Sequence, residues 1–249
     1  MMAKLILGHR GYSEIAPENT DLAFECASIF GFDGVELDVH QTKDNKIVII
    51  HDETIDRTSK KKGSIKDMTY EELKYINFAH KFNKKMPRQN ILLLGEFLEK
   101  YGNRFKCINI EVKTDIYHYK GIEQKVLDIM AIHKVKAKII LSSFNLKSLK
   151  ILRSISKDVK LGFLFVEKYE IEENLEDIKA ICNYIHPWFK TLLNKRTLDY
   201  FEQVVSLPMI TWTINNGHID DWWTAGSSSV IEKLKRIKSL KVLISNSRI

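Results

Sequence analysis

Three cysteines in 249 residues are too few, and too far apart, to staple this chain. Cys26, Cys107 and Cys182 are odd in number and form no CxxC pair. Neither a disulfide framework nor a zinc site is expected; reduced, buried thiols are. No apolar run approaches the ~18 residues of a membrane span. Met1-Met2-Ala3-Lys4 leads straight into a strand-like run, so neither a leader nor a stable membrane anchor is expected, and the expected location is the cytoplasm. Internal repeats and low-complexity linkers are missing too, as is anything resembling a nucleic-acid module, so no nucleic-acid partner is expected. The formal charge of +7 comes from scattered lysines and one run, Lys60-Lys61-Lys62. It reads as solvated surface, adding at most a faster encounter with anionic substrates.

What is present is an ordinary globular composition, 44% apolar and 29% charged, in a chain long enough for a real core. Strand-like runs at 4–8, 34–40, 107–112, 137–142, 160–166, 183–187, 208–214 and 241–245 alternate with helical patterns. The helices are expected at 20–30, 119–133, 145–156, 172–182, 195–206 and 229–239. Eight strands in such alternation predict an α/β chain folded as a (β/α)8 TIM barrel in one domain over 1–249. A doubly wound sheet is the lesser alternative. A further strand at 47–50 and the segment 53–95 are surplus to the alternation and predict a small insertion after the second barrel strand. Thr69-Tyr-Glu-Glu72 inside it, and Ser229-Val-Ile-Glu232 near the end, read as capping boxes.

The chemistry sits where these strands end. Val35, Leu37 and Val39 alternate with Glu36, Asp38 and His40, so Glu36 and Asp38 share a face about 7 Å apart along the strand. Glu111 and Lys113 close the third barrel strand in the same way, and His9 closes the first. Barrel active sites lie at the C-terminal strand ends, so these distant residues are expected to converge on one rim. Three carboxylates gathered there repel by about 4 kcal/mol per pair at ~4 Å and an effective dielectric near 20. A divalent cation removes that penalty, and oxygen-only ligands suit Mg2+ or Ca2+. His9 and His51, flanking the carboxylates, suit proton transfer at phosphorus. Arg10 and Lys113 are either ion-pair partners of the carboxylates or holders of a phosphodiester's oxygens. Trp212 is either core packing or an aromatic wall for substrate. Pro17-Glu18-Asn19-Thr20 reads as a turn with Asn19 or Thr20 capping the first helix. His40, His80, His118, His133 and His218 are expected at the surface or in structural roles.

The same residues carry a resemblance. His9-Arg10-Gly11, Pro17-Glu18-Asn19-Thr20, Ala23-Phe24, Glu36-x-Asp38, His51-Asp52, Arg57-Thr58 and Asn109-Ile110-Glu111-x-Lys113 resemble the signature of glycerophosphodiester phosphodiesterases. Ser143-Phe144, His186-Pro187 and Trp212-Thr213-Ile214-Asn215 continue it along the chain. The resemblance implies the TIM barrel, catalytic His9 and His51, and metal ligands Glu36, Asp38 and Glu111. It implies hydrolysis of a small-molecule glycerophosphodiester, such as glycerophosphocholine, to sn-glycerol 3-phosphate and an alcohol. Rival expectations are a phospholipase of the same superfamily acting on intact lipid, and a catalytically silent barrel that binds glycerophosphodiesters or a protein. The chain departs from the family pattern at Leu92-Leu-Leu94-Gly95-Glu96, at Ser245-Asn246-Ser247-Arg248 and in an enlarged connection, 217–229, carrying Trp222-Trp223.

Overall fold

The computed structural model describes residues 4–83, 85–214 and 228–249. Asn215, His218, Trp222-Trp223 and most of the enlarged connection lie outside the described residues, as do Met1, Met2 and Ala3. The strands are β1 (Leu5–His9), β2 (Gly34–Gln41), β3 (Ile47–Ile49), β4 (Leu92–Leu93), β5 (Cys107–Val112), β6 (Lys138–Ser143), β7 (Lys160–Phe165), β8 (Tyr184–Pro187), β9 (Met209–Ile214) and β10 (Leu240–Ser245). The parallel strands run β1-β2-β5-β6-β7-β8-β9-β10, and β10 pairs back onto β1. That closure makes a TIM barrel and removes the doubly wound alternative.

The helices are α1 (Asp21–Ile29), α2 (Tyr70–Leu73), α3 (Leu94–Tyr101), α4 (Ile122–Ile132), α5 (Leu146–Ile155), α6 (Lys168–Glu172), α7 (Leu175–Ile181), α8 (Lys195–Tyr200) and α9 (Ser228–Arg236). Strand alternation sorts side chains into two cores. Val35, Leu37, Val39, Ile108 and Ile110 join Phe24, Phe97, Leu149 and Leu234 of the helices in the outer core. Leu7, Cys107, Ile140, Ile210, Val242 and Ile244 form a separate cluster inside the barrel. Glu36 and Asp38 take the inward parity of β2 and so reach the rim from within.

Four expectations need correction. Helix α3, the barrel's own second helix, lies where no helix was expected. The helix expected at 172–182 is α7, which starts only at Leu175, and a separate helix, α6, precedes it; the break at 173–174 is where Asn174 turns its side-chain amide onto the Glu170 carbonyl. Ser229 is already inside α9, so it does not cap that helix. Cys26 is half-buried, whereas Cys107 and Cys182 are buried; all three are free thiols.

The insertion has its own small core. Strand β3 runs antiparallel to β2, and β4 antiparallel to β3. Val48, Ile50, Ile55, Ile65, Leu73, Ile76, Phe78 and Ile91 cluster beneath them. The Thr69–Glu72 capping box starts α2. No helix among the described residues is long and apolar enough to cross a membrane.

Candidate active site

Strand β1 ends in a tight turn in which Arg10 and Gly11 both take left-handed backbone angles, φ 57° and 83°. A side chain on Gly11 would meet the carbonyl carbon of Ala23 at 2.7 Å, so glycine lets this turn rest on α1. The turn aims the Arg10 N–H at Glu36 Oε2, 2.9 Å away. Asn19 is also left-handed and donates from Nδ2 to Asp38 Oδ2 at 2.9 Å. The cap of α1 is therefore Thr20, which accepts from the Ala23 N–H, while Asn19 serves the site.

Glu36, Asp38 and Glu111 are buried, and one oxygen from each lies within 4.8 Å of the others. Parallel register sets Asp38 beside Glu111 and Glu36 beside Asn109. Arg10 Nε stands 3.5 Å from Asp38 Oδ2, and Lys113 Nζ 3.0 Å from Glu111 Oε1. Two cations face three carboxylates, which leaves one excess negative charge. Asp38 Oδ1 is buried with no hydrogen-bond partner among the described residues. Burial, then the neighbouring Asp38, pushes the Glu36 carboxyl well up from its ordinary value. Burial also raises Glu111 against the pull of Lys113. Burial works to raise Asp38 too, but His51, Arg10 and Lys113 outweigh it and hold that carboxyl low. Burial weakens the Lys113 ammonium, and Glu111 and Asp38 more than restore it. An unpartnered oxygen amid crowded carboxylates fits a hard divalent cation, so the triad could hold a metal.

His9 and His51 stand on opposite flanks with different partners. His9 Nδ1 meets Asn246 Oδ1 at 2.5 Å, and its Nε2 lies 3.9 Å from Glu36. An amide oxygen only accepts, so Nδ1 carries the proton and Nε2 keeps its lone pair. Burial, then the adjacent Arg10, lowers the His9 pKa to about 3. His51 Nδ1 donates instead to a carboxylate, Asp52 Oδ1, at 2.7 Å, and its Nε2 lies 3.5 Å from Lys113 Nζ. Behind it, buried His40 donates from Nε2 to the His51 carbonyl at 3.0 Å and accepts at Nδ1 from the Tyr119 hydroxyl at 2.9 Å. His40 is thus structural, and burial lowers its pKa to about 4.

The rim brings together His9, Arg10, Glu36 and Asp38 on one flank and His51, Glu111 and Lys113 on the other, each through contacts of 3.9 Å or less, and carboxylate oxygens within 4.8 Å of one another join the two. Trp212 stands apart from that chain of contacts. Its Nε1 donates to the His186 carbonyl at 2.8 Å and its half-buried ring meets Phe144 edge-on at 5.6 Å. It also packs against the outer core and the cluster inside the barrel. Sequence reasoning assigned no site role to Asp52, Arg57 or Asn246, and placed Glu18 only in the turn before the first helix. Glu18, Asp52 and Arg57 stand within stretches that resemble the family signature, and Asn246 stands just past a barrel strand.

Groups able to grip an anion and groups able to move protons, set around a carboxylate nest on a barrel rim, define a hydrolase of phosphate esters. Comparison with known sequences makes this specific: the chain belongs to the glycerophosphoryl diester phosphodiesterase family, which it matches over residues 9–237. It is 43% identical over 219 residues to an uncharacterized protein of Mycoplasma genitalium, covering 86% of this chain and 87% of that one. It is 37% identical over 191 residues to a glycerophosphodiester phosphodiesterase of Caldanaerobacter subterraneus, covering 77% of this chain and 72% of the relative. A crystal structure of a glycerophosphodiester phosphodiesterase from Thermotoga maritima superposes with a TM-score of 0.76 at 26% identity, over 99% and 96% of the two chains.

Proposed function

We propose that this phosphodiesterase hydrolyses small, deacylated glycerophosphodiesters, among them glycerophosphocholine and glycerophosphoethanolamine, to sn-glycerol 3-phosphate and the free alcohol. Glu36, Asp38 and Glu111 would hold one divalent cation, Mg2+ or Ca2+. When bound, that cation supplies positive charge against the phosphate's non-bridging oxygens. The observation that carries the reading is the buried triad with its unpartnered Asp38 oxygen, placed between two histidines.

Each remaining residue has a task that its contacts support. The Arg10 guanidinium and the Lys113 ammonium bind phosphate oxygens and counter the charge that builds in the transition state. His9, mostly shielded from solvent, backed by a neutral amide and crowded by Arg10, stays unprotonated and accepts the proton of the attacking oxygen at Nε2. His51, its Nδ1–H held by the Asp52 carboxylate, turns Nε2 toward the site and is the proton donor to the leaving alkoxide. Trp212 is the aromatic wall against which the glycerol carbons pack.

The test is incubation with a panel of glycerophosphodiesters plus Mg2+ or Ca2+, with coupled detection of glycerol 3-phosphate. Turnover that stops on chelation is expected. Turnover of no panel member would remove the proposal, and turnover of intact phospholipid alone would transfer it to the phospholipase rival.

A further inference from the structure

Arg57 belongs to the insertion rather than to the barrel, yet its guanidinium touches a carboxylate on each flank of the rim. Nη1 and Nη2 reach Glu18 Oε2 and Oε1 at 2.6 and 2.7 Å. Nε and Nη2 reach Asp52 Oδ2 and Oδ1 at 2.8 and 3.0 Å. Each carboxylate then passes the contact inward. Glu18 Oε1 accepts from Arg10 Nη1 at 3.0 Å, and Asp52 Oδ1 accepts from His51 Nδ1 at 2.7 Å. We propose that Arg57 is a positioning residue that sets the phosphate-binding Arg10 and the proton-donating His51 from a single point, and so couples substrate binding to proton transfer.

The geometry is specific to arginine. A planar guanidinium presents its N–H groups along fixed directions, so two carboxylates seated on two of its edges hold a fixed relation to each other. A lysine ammonium is a point charge and fixes neither. The arrangement also contributes little as a prop for the fold. The Arg57 side chain is 47% exposed, and exposed ion pairs contribute roughly 0–1 kcal/mol. Without Arg57, both Glu18 oxygens would turn to Arg10 and draw its guanidinium from Asp38, where its contact is the longer one at 3.5 Å. Asp52 would be free to rotate, and His51 Nδ1 would lose a fixed acceptor and with it a fixed tautomer.

The inference rests on the roles of Arg10 and His51 proposed above, so its test includes a measurement independent of turnover. For Arg57→Ala, kcat on glycerophosphocholine should fall about 10–100-fold, the scale of a displaced catalytic group, with a higher KM. Free guanidinium at millimolar concentration should restore part of the loss in that variant and leave the wild type unchanged. Arg57→Lys, which keeps the charge, should remain impaired. Glu18→Gln and Asp52→Asn should be non-additive in the wild type and additive once Arg57→Ala is present, because their coupling runs through the guanidinium. In 1H–15N spectra the His51 Nδ1–H signal should be seen in the wild type and lost in Arg57→Ala. Wild-type kcat and KM in a folded Arg57→Ala, or additive effects of the two carboxylate substitutions in the wild type, would overturn the proposal. If the wild type itself turns over no glycerophosphodiester, the functional reading fails, and the His51 signal still decides: unchanged by Arg57→Ala, it overturns the positioning role.

Discussion

Replacing Glu36 by Gln should make the metal-free protein more stable and the metal-loaded protein less so. Ligand oxygens within 4.8 Å of one another repel by about 3.5 kcal/mol or more per ionised pair at an effective dielectric near 20. Glu36 faces both Asp38 and Glu111, so the gross repulsion on it is about 7 kcal/mol when all three are ionised. Attraction to Arg10 reduces this, and so does the proton that the raised Glu36 carboxyl takes up. A net gain of about 1–3 kcal/mol is expected, and at roughly 2–4 °C per kcal/mol it raises Tm by about 2–12 °C. Glutamine keeps a carbonyl oxygen for the Arg10 N–H, so the turn after β1 survives. The sign follows from linkage. A carboxyl raised in the folded state contributes stability that is present below its unfolded pKa and lost as pH rises through its folded value. The variant's advantage should therefore vanish near pH 4 and grow toward neutrality. Adding Mg2+ or Ca2+ at about 100 times Kd should stabilise the wild type by about 2.7 kcal/mol and the variant by far less, reversing the order. Thermal melts of both proteins, in chelator and across a cation titration, read all of this. A variant that melts below the wild type in chelator, or one that shifts equally with cation, refutes the reasoning.

His9→Ala and His51→Ala should each lose on the order of 10²–10⁴ in kcat on glycerophosphocholine. A glycerophospho-nitrophenyl ester, whose leaving group needs no proton, should restore much of the His51→Ala loss and little of the His9→Ala loss; equal rescue would undo the division of labour. Glu18 is held down to about 2, because Arg10 and Arg57 outweigh the effect of its burial. Its stabilisation, at most about 3 kcal/mol, is present above pH ~4.5 and lost as pH falls toward ~2. Glu18→Gln should thus melt below the wild type at neutral pH and converge with it near pH 2, as melting curves across that window would reveal. Tyr119→Phe strips the buried His40 Nδ1 of its donor, and chemical denaturation should show a loss of about 1–3 kcal/mol.

The barrel and its carboxylates were legible because both rest on local periodicity. Alternation in β2 and β5 fixes which side chains face inward, and closure then delivers strand ends to one rim whatever the loops do. Helix α3 escaped notice because it lacks a polar residue at its start. Leu93 stands there, and its N–H is met by Glu96 Oε2, reaching back from inside the helix. The split between α6 and α7 was hidden because helical hydrophobic spacing continues across Asn174. Pairings between distant loops were beyond reach for another reason. Arg57 and Glu18 are 39 residues apart, and Asn246 and His9 237 apart, and no spacing rule encodes such contacts. Asn246 sits in a stretch that reads only as a departure from the family pattern, and the fold is what turns it toward His9.

The central claim is tested most directly by following the wild-type protein and glycerophosphocholine by 31P NMR, with divalent cation and then with chelator. The account predicts that the diester signal gives way to that of sn-glycerol 3-phosphate, and that chelator stops the change. A diester signal that persists with cation present, one that yields phosphocholine instead, or hydrolysis indifferent to chelator would contradict it.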